Sequence, residues 1–196
     1  MKQLWTIICY VVIVWSSTTN GFCGTVDTTD IGEGFSGIKW GTDIKDLQTF
    51  EKAYTKDNVD FYLNPDKAYS LEKGTPVTVL YGFSANKLFA VYIDLETMEI
   101  YGKVNRYIRK KYGDFPDKSY SSKTNQVIKK WKYKDVKIKL KLNNESLQMK
   151  LAIYYLPLSL QVSEEMQETF PKTRVEFLPT LKTKKKPKQL FPLLSF

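Results

Sequence analysis

Alternating apolar and polar residues predict a first β-hairpin at 76–95. In V-T-V-L-Y-G-F every second side chain is apolar, so one face of the strand can be buried. The turn S-A-N follows, and the strand L-F-A-V-Y-I returns with three apolar residues facing the same core: Phe89, Val91 and Ile93. Tyr92 is predicted on the opposite side of this strand. A shorter strand is predicted before the hairpin, from Val59 to Leu63.

The clearest alternation lies between Asp135 and Tyr155. The run D-V-K-I-K-L-K-L, the turn N-N-E and the run S-L-Q-M-K-L-A-I-Y-Y place apolar residues on one face of a second hairpin. Three lysines of its first strand are predicted to face water on the other side: Lys137, Lys139 and Lys141. Tyr154 is predicted on the outward side of the return strand.

Apolar residues spaced three or four positions apart predict two helices. The first begins after Thr42 or Asp43, because either side chain can accept a hydrogen bond from an unpaired amide of the first turn. Its apolar stripe is Ile44, Leu47, Phe50 or Glu51, and Tyr54. The second helix is predicted at 97–112 and ends at Gly113, a residue that favours helix termination.

A strand at 125–133 completes the order helix, three strands, helix, three strands. This order favours the α+β class, an antiparallel sheet packed by short helices. A single domain is predicted at 35–157, with a linker at 24–34 before it and a basic, proline-containing tail at 158–196 after it. A short helix at 162–170 is an option within that tail. The two halves of the predicted domain, 35–96 and 97–157, each have the order helix and three strands. This is compatible with a tandem helix-β-β-β repeat, although sequence identity between the halves is too low to establish one.

Trp40 stands just before the predicted first helix, in F-S-G-I-K-W-G-T-D-I-K-D-L. An apolar residue before a helix N-cap can pack on the first helical turns as a hydrophobic staple, and Gly41 allows a sharp bend there. We therefore predict that Trp40 is buried and fixes the entry of the chain into the helix, rather than binding a ligand.

Residues 1–23 have the pattern of a secretory signal peptide. A positively charged start precedes the apolar run L-W-T-I-I-C-Y-V-V-I-V-W, which is well short of the roughly twenty residues that a membrane-spanning helix needs. Cleavage is therefore favoured over a retained anchor, after Cys23 or after Gly21. Asn20 does not fit the lipid-attachment motif of a lipoprotein. The predicted location is the periplasm or the extracellular space.

Cysteine and histidine chemistry is not expected in the predicted mature chain. Both cysteines, Cys9 and Cys23, lie within the signal segment, and the sequence has no histidine. Disulfides, cysteine nucleophiles, Ser-His-Asp triads and the usual zinc sites are thereby excluded. The sequence also lacks a P-loop and a nucleophile-elbow motif, so neither a cofactor nor a metal is predicted.

The densest carboxylate cluster is Asp94, Glu96 and Glu99. These acids lie where a strand gives way to the second helix, and acids in a first helical turn are stabilised by the helix dipole. A hydrolase that uses carboxylates alone is therefore a less favoured interpretation than a structural role. Catalytic residues are not assigned.

The chain carries a net charge of +9, and part of the excess lies near its end in K-T-K-K-K-P-K. Such a run, without apolar periodicity, is typical of an extended or disordered tail that attracts anionic partners. Its candidate binding residues are Lys184, Lys185, Lys186 and Lys188. A membrane surface is an alternative partner for the tail, and nucleic acid is not expected for an exported chain. The apolar end L-F-P-L-L-S-F can dock elsewhere on the domain.

The sheet offers a second candidate surface for binding. Outward aromatic side chains beside lysines suit recognition of a protein or a glycan. The candidates are Tyr92, Tyr154, Lys137, Lys139 and Lys141.

Three motifs, read in order, resemble those of a group of small uncharacterised bacterial exported proteins. They are F-S-G-I-K-W-G-T, Y-G-F-S-A-N-K-L and K-K-Y-G-D-F-P, which resemble F-x-G-I-x-W-G-T, Y-x-F-x-x-x-x-L and K-Y-G-x-P patterns over roughly Phe35 to Tyr155; the third departs from its pattern by having two residues between glycine and proline. At the level of fold, the chain is similar to the small α+β modules of β-lactamase-inhibitor proteins and of an outer-membrane assembly lipoprotein. The partner-binding residues of those modules have no matching motif here. The resemblance implies an exported, non-enzymatic interaction module of the bacterial envelope, with a membrane-tethered structural protein as the alternative.

Overall fold

The computed structural model describes residues 30–70, 76–114, 117–121, 125–160, 162, 188–189 and 191. The described part of the chain is an α+β structure dominated by antiparallel sheet, as predicted. Its helical elements are a 3₁₀ turn (Ile44–Asp46), α1 (Met98–Tyr112) and α2 (Leu156–Ser159). Its strands are β1 (Gly34–Phe35), β2 (Ile38–Lys39), β3 (Glu51–Lys56), β4 (Val59–Leu63), β5 (Tyr69–Ser70), β6 (Pro76–Val77), β7 (Val79–Ser84), β8 (Lys87–Leu95), β9 (Asp117–Ser121), β10 (Gln126–Tyr133), β11 (Val136–Asn143), β12 (Met149–Tyr155) and β13 (Lys188–Gln189).

Eight of these strands form one antiparallel sheet in the order β3-β4-β7-β8-β12-β11-β10-β9. Strands β3, β4, β7 and β8 are consecutive neighbours, and so are β9 to β12 in the reverse direction. Each half is a meander of four neighbouring strands, interrupted in the first half by β5 and β6, which belong to a smaller sheet. The two halves meet where β8 pairs with β12, with Ile93 opposite Leu151. The sequence predicted three strands in each half and missed β3 and β9.

The second predicted helix is confirmed as α1. The side chain of Thr97 accepts a hydrogen bond from the Ile100 amide and caps the first turn, while Gly113 ends the helix with a positive φ of 82°. Three residues of α1 are buried against one face of the sheet: Tyr101, Val104 and Ile108. The helix thus covers the first core cluster.

The first predicted helix is wrong beyond its first turn. Asp43 does act as the N-cap, accepting a hydrogen bond from the Lys45 amide, but only the 3₁₀ turn follows. Tyr54 lies instead in β3, which pairs with β4 through a tight turn at Asp57 and Asn58. Both turn residues have positive φ, of 48° and 62°, which matches the right-handed twist of a two-residue hairpin. The pairing of β3 with β4 therefore determines the structure of this segment, although its apolar residues have helical spacing.

The other face of the sheet is buried as well, by a second core cluster. A bulge between β7 and β8 pairs Phe83 with Leu88 and Gly82 with Ala90, so Phe89 is the extra residue. Phe89 therefore joins the second cluster, whereas Val91 and Ile93 lie in the first, so the prediction that all three share one face is wrong for Phe89.

The chain around Trp40 packs on the first cluster. Trp40 is 9% exposed, which confirms its predicted burial, and Gly41 bends the chain with a φ of 80°. The predicted linker at 24–34 does not extend to its predicted end, because Ile31 is fully buried in the same cluster. Residues 24–29, like the signal segment 1–23, lie outside the described residues.

Part of the predicted tail is ordered and docked. Strand β13 pairs in parallel with β5, which in turn pairs with β6, and these three strands form a small second sheet. Beyond β13, the ring of Phe191 lies 4.8 Å from the ring of Tyr107, whose hydroxyl donates a 2.7 Å hydrogen bond to the Phe191 carbonyl. The apolar end therefore docks on α1 at this residue. Of the helix option at 162–170 only Val162 is described, and it is buried in the second core cluster. The rest of that option and the lysines at 184–186 lie outside the described residues. None of the described helices is long and apolar enough to span a membrane.

Candidate functional site: the basic edge of the sheet

The predicted outer face of the second hairpin is not a free surface. Lys139 and Lys141 are 3% and 2% exposed, and Tyr92 and Tyr154 are 5% and 1% exposed. These four residues are therefore wrongly predicted to face water. The prediction failed because it assumed one solvated face, whereas the central strands carry the second core cluster on that side. Lys137, nearer the end of its strand, is half-buried.

The structure does bring the predicted tyrosines and a lysine together, but inside the protein. The rings of Tyr92 and Tyr154 meet edge to face at 5.7 Å, and Lys139 Nζ lies 5.3 Å from the centre of the Tyr154 ring. Phe61 extends this aromatic row, 5.5 Å from Tyr92, and Tyr54 stacks on Phe61 at 4.6 Å. Burial raises the pKa of Tyr92, against the smaller effect of its hydrogen bond with Tyr154. The row serves to hold the two halves of the sheet together.

Only one of the four candidate lysines of the tail lies among the described residues. Lys188 lies in β13, where its backbone pairs with Tyr69 of β5. The other three candidates, at 184–186, lie outside the described residues. Of the residues that the sequence singled out, those that the structure describes therefore form no exposed binding site.

Positive charge is concentrated elsewhere, between Met98 and Tyr133. This segment carries ten lysine and arginine residues against three carboxylates, so it holds seven of the nine excess positive charges of the chain. It comprises α1, β9 and β10, and β9 is the outermost strand of the large sheet. We give the name basic edge to six residues of this segment. Five of them are exposed and Lys129 is half-buried; they are Arg106, Arg109, Lys110, Lys118, Tyr120 and Lys129.

Three cations of the basic edge converge from three elements. Lys118 on β9 lies directly opposite Lys129 on β10, so the two side chains leave the sheet on the same face. Lys129 Nζ donates to the Asn105 side-chain oxygen at 3.2 Å and lies 5.5 Å from the ring centre of Tyr101. Burial lowers the pKa of Lys129, and the positive charges of Lys118 and Arg109 lower it further. Arg109 follows Asn105 by one helical turn and so lies on the same side of α1.

Two carboxylates near this cluster are already engaged. Arg109 donates from Nε to Asp114 at 2.6 Å, and its Nη2 contacts the same oxygen. Asp117 pairs with Lys130 at 3.2 Å, and because Lys130 is the neighbour of Lys129 along β10, this pair lies on the opposite face of the sheet. Both carboxylates thus pair with cations other than Lys118 and Lys129.

Tyr120 adds an exposed ring to the basic edge. Its side chain is 59% exposed, and it stands two residues after Lys118 on β9, hence on the same face. Its hydroxyl donates a 2.8 Å hydrogen bond to the side chain of Asn125, which holds the ring in position. An aromatic ring beside cations is a surface that can bind an anionic glycan or polymer.

The basic edge was not predicted because β9 was not predicted. The segment D-K-S-Y-S has weak apolar alternation, and only its pairing with β10 places Lys118 against Lys129. The available signal was the density of lysine and arginine from Lys103 to Lys132.

The carboxylates considered for hydrolysis are all exposed. Glu99 pairs with Lys103 at 2.8 Å, one helical turn away, and this hydrogen bond holds the pKa of Glu99 below its usual range. Asp94 and Glu96 are exposed as well, at the end of β8 and beyond it. Within the described ranges, the structure holds no cluster of three or more residues able to ligate a metal ion.

The chain matches no protein-family model and no curated protein. It is similar to the solved structure of a DUF4309 family protein from Bacillus subtilis, with 10% identity and a TM-score of 0.39, over 58% of this chain and 78% of that protein. It is also similar to a cysteine-rich secretory protein from Staphylococcus aureus, with 13% identity and a TM-score of 0.37, over 65% of this chain. The match covers 48% of the length of that second protein. At these TM-scores neither likeness defines a shared fold.

Proposed function

We propose that this protein is an exported, non-enzymatic binding module that holds an anionic component of the bacterial envelope on its basic edge. The observation that carries the proposal is the concentration of charge between Met98 and Tyr133, where cations from α1, β9 and β10 share one end of the sheet. The rest of the chain is nearly balanced, with 20 basic and 18 acidic residues. Among the residues that the structure describes, attraction for a polyanion therefore has a defined location; the second basic run, K-T-K-K-K-P-K, lies outside them except for Lys188.

The physical basis of binding is electrostatic attraction followed by close contact. Exposed cations attract a polyanion over about 10 Å at moderate salt concentration, and a row of them can contact successive charges of a polymer. Tyr120 offers an apolar surface within the same patch. Such a site needs no pocket, because a polymer can lie along an exposed sheet edge.

The carboxylate geometry supports binding over hydrolysis. A general acid that works near neutral pH needs a raised pKa, whereas Lys103 lowers the pKa of Glu99.

Export is supported by the N-terminal sequence pattern, and retention of that segment as an anchor is the alternative. Intact-mass measurement of the protein recovered from the bacterial envelope distinguishes them: a mass that begins near Gly24 supports cleavage, and a full-length mass supports the tether.

Polymer binding tests the proposed function. The mature chain is titrated with poly(glycerol phosphate), with poly-L-glutamate and with uncharged dextran at several salt concentrations. We expect binding to at least one polyanion that weakens steeply with salt, and no binding to dextran. A matched pair of double variants locates the surface: Arg106→Gln/Lys110→Gln removes two charges from the basic edge, and Lys45→Gln/Lys52→Gln removes two exposed charges elsewhere. Equal loss in both pairs, or no polyanion binding at all, contradicts the proposal.

We also infer that the two meanders are diverged copies of one unit. Each begins with a helical element, the 3₁₀ turn or α1, and contributes four antiparallel strands to the large sheet, with β5 and β6 inserted between the second and third of these strands in the first copy. The copies join through their last strands. The unit therefore has four strands where the sequence suggested three. A solved relative in which the two halves superimpose strand for strand supports this inference, and one in which only a single half carries the helix-first order contradicts it.

A further inference from the structure

We propose that one end of the large sheet inserts Met98, Tyr120 and Leu147 into a lipid surface with anionic headgroups. This inference rests on the proposed function and names the chemistry of its partner. We call these three residues the apolar tip. The apolar tip adjoins the basic edge, and Tyr120 belongs to both.

Most of the exposed large apolar side chains lie at this end of the sheet. In the described part of the chain, four such side chains are more than half exposed, and the apolar tip supplies three of them, at 52%, 59% and 61%. A single exposed apolar residue is ordinary, whereas a group of them is typical of an interaction site. The fourth, Leu160, follows α2 at the opposite end, where the Leu156 amide donates to the Asp135 carbonyl between β10 and β11.

The strand register places the apolar tip at the border of the core. A row of directly paired apolar residues crosses five strands there: Leu95, Met149, Leu142, Val127 and Tyr120. Leu95 and Met149 are buried in the first core cluster, whereas Tyr120, at the edge of the sheet, is exposed. Leu147 precedes Met149 by two residues and Met98 follows Leu95 by three, so both lie just beyond this row. The apolar core therefore continues to the surface at this end.

Leu147 is held exposed in an unfavourable backbone conformation. Its φ of 54° lies in the left-handed region, which a bulky side chain rarely adopts and which glycine or asparagine occupies more easily. The turn before it is fixed by Asn143, whose side-chain oxygen accepts hydrogen bonds from the Glu145 and Ser146 amides at 2.9 and 2.8 Å. Folding alone would favour asparagine in place of Leu147, so the exposed leucine points to a contact outside the chain.

Asn125 connects two members of the apolar tip. Its side-chain oxygen accepts a 2.8 Å hydrogen bond from the Tyr120 hydroxyl. Its carbonyl accepts a 2.9 Å hydrogen bond from the Asn144 amide, in the turn that leads to Leu147. The apolar side chains are thus presented together before a partner binds, which lowers the entropy cost of binding.

The charge around the apolar tip favours a lipid surface as the partner. Met98 and Tyr120 both belong to the segment that carries the excess of seven positive charges. Exposed cations of that segment lie on α1 and β9, the elements that carry Met98 and Tyr120: Arg106, Lys110 and Lys118. Anionic headgroups attract these cations, and the hydrocarbon beneath accepts apolar side chains. A soluble polyanion would use only the cations.

Two carboxylates limit the depth of insertion. Glu96 and Glu145 are exposed and stand two residues before Met98 and Leu147, respectively. A carboxylate is costly to bring into hydrocarbon, so these side chains stay at the level of the headgroups and only the apolar tip enters. Because anionic headgroups repel them, removal of one of these charges should strengthen binding.

The test uses the chain from 24 to 196, because the apolar N-terminal run would itself enter a bilayer. The chain is titrated with vesicles of phosphatidylglycerol and phosphatidylcholine, with vesicles of phosphatidylcholine alone, and with poly(glycerol phosphate), which has headgroup chemistry without acyl chains. The variants are Met98→Gln, Tyr120→Ser, Leu147→Asn and Glu145→Gln. Leu160→Asn is the matched control, because it removes the exposed leucine at the other end of the sheet. Thermal unfolding without vesicles reports on the fold of each variant.

A further variant, Leu147→Trp, reports on insertion directly. The chain from 24 to 196 has two tryptophans, Trp40 and Trp131, and both are buried, so the introduced indole is the exposed one. Lipids with bromine atoms on their acyl chains quench an indole that enters the hydrocarbon. We expect such lipids to quench the introduced indole in the anionic vesicles.

We expect the wild type to bind the anionic vesicles at least tenfold more tightly than those of phosphatidylcholine. Leu147→Asn should weaken binding to the anionic vesicles about tenfold, as the loss of one inserted leucine predicts, and its unfolding temperature should be equal or higher. Met98→Gln and Tyr120→Ser should also weaken this binding, Glu145→Gln should strengthen it, and Leu160→Asn should leave it unchanged. Leu147→Asn and Met98→Gln should not affect binding of poly(glycerol phosphate).

The outcomes separate this inference from the proposed function. Binding of the wild type to poly(glycerol phosphate) but not to vesicles overturns the lipid surface and leaves the proposed function in place. Vesicle binding without quenching, or with equal losses for Leu147→Asn and Leu160→Asn, overturns insertion at the apolar tip. If Leu147→Asn proves less stable than the wild type, unchanged vesicle binding by Met98→Gln and Tyr120→Ser overturns it instead. Failure to bind either the anionic vesicles or the polymer overturns the proposed function as well.

Discussion

The indole N–H of Trp40 donates a buried 2.8 Å hydrogen bond to the backbone carbonyl of Ile31. The indole ring also stacks on Tyr155, with the planes 5° apart and the ring centres separated by 6.2 Å. Trp40 thus ties the segment that precedes β1 to the last strand of the second meander. Its function is to join distant parts of the fold.

Replacing Trp40 by Phe tests this tie. The ring stacking on Tyr155 can persist, but the Ile31 carbonyl loses its donor in a buried environment, so we expect the free energy of unfolding to fall by about 1–2 kcal/mol. Urea denaturation measures the change. Tyr120→Phe serves as a control because its hydroxyl bond is exposed and should contribute little. An unchanged unfolding free energy for Trp40→Phe would show that the bond is not needed.

Gly34 and Gly102 should respond in opposite directions to replacement by alanine. A Cβ atom at Gly34 would lie 2.2 Å from the backbone oxygen of Ile38, which cannot move away without breaking the β1–β2 hairpin. We expect Gly34→Ala to destabilise the fold by about 2 kcal/mol or more. At Gly102, within α1, the nearest atom is the flexible end of Arg106 at 3.6 Å, so Gly102→Ala should stabilise by about 0.5–1 kcal/mol. Thermal unfolding of both variants compares them directly, and a loss of stability in both would refute the distinction.

Lysine burial can be measured by amine labelling. Lys139 and Lys141 are at most 3% exposed, whereas Lys132 is exposed on the adjacent strand. In the folded protein we therefore expect an N-hydroxysuccinimide ester to modify Lys132 rapidly and Lys139 and Lys141 slowly. Mass spectrometry of the digested product gives the rates, and labelling in urea should equalise them. Equal rates in the folded state would mean that the second core cluster is not closed over these lysines.

The Asp30–Lys134 ion pair should make stability depend on pH in the acid range. Burial acts to raise the pKa of Asp30, but hydrogen bonds from Lys134 and from the Gly32 amide hold it below its usual range. A carboxyl with a lowered folded-state pKa stabilises the fold above its unfolded pKa of about 4 and loses that contribution as the pH falls through its folded-state pKa. The difference in unfolding free energy between wild type and Asp30→Asn should therefore shrink below about pH 4. The double variant Asp30→Asn/Lys134→Gln should match Asp30→Asn, and a difference independent of pH would exclude the pair as its source.

The tail should stabilise the fold through Phe191 and not through its lysines. Phe191→Ala removes the ring contact with Tyr107, and we expect a loss of about 1–2 kcal/mol because the ring is only half-buried. Replacing Lys184, Lys185 and Lys186 together by Gln should leave the unfolding free energy unchanged. Chemical denaturation separates the two contributions. The reverse result would assign the stability to the charges.

The elements with strong local patterns could be predicted, and those that depend on pairing could not. Strands β4 and β8 were predicted with their observed ends, and α1 was predicted to within one residue with its terminating glycine, although its N-cap was not assigned. The 3₁₀ turn and β3 were mistaken for a helix because Ile44, Leu47 and Phe50 have helical spacing yet pack on the core from a loop. Alternation alone could not show that both faces of the central strands are covered.

The candidate site was missed for a related physical reason. Lys118 and Lys129 are 11 positions apart in the sequence, and only the β9–β10 register brings them next to each other. The lysines of β11 looked more informative because they alternate so regularly, but two of them are buried. The density of lysine and arginine along the chain predicts the candidate site better than the alternation of lysines in β11, since it depends less on which face of the sheet a residue occupies.

The docking of the C-terminal segment also sets the order in which this protein can be assembled. Tyr107 and Phe191 are 84 positions apart, and β13 pairs with β5 across an even longer stretch of chain. Contacts of such long sequence separation form late, because the intervening chain must first lose entropy. The small sheet and the outer side of α1 therefore close only after residue 191 has been synthesised, so a ribosome-bound or truncated chain carries an incomplete fold at that side.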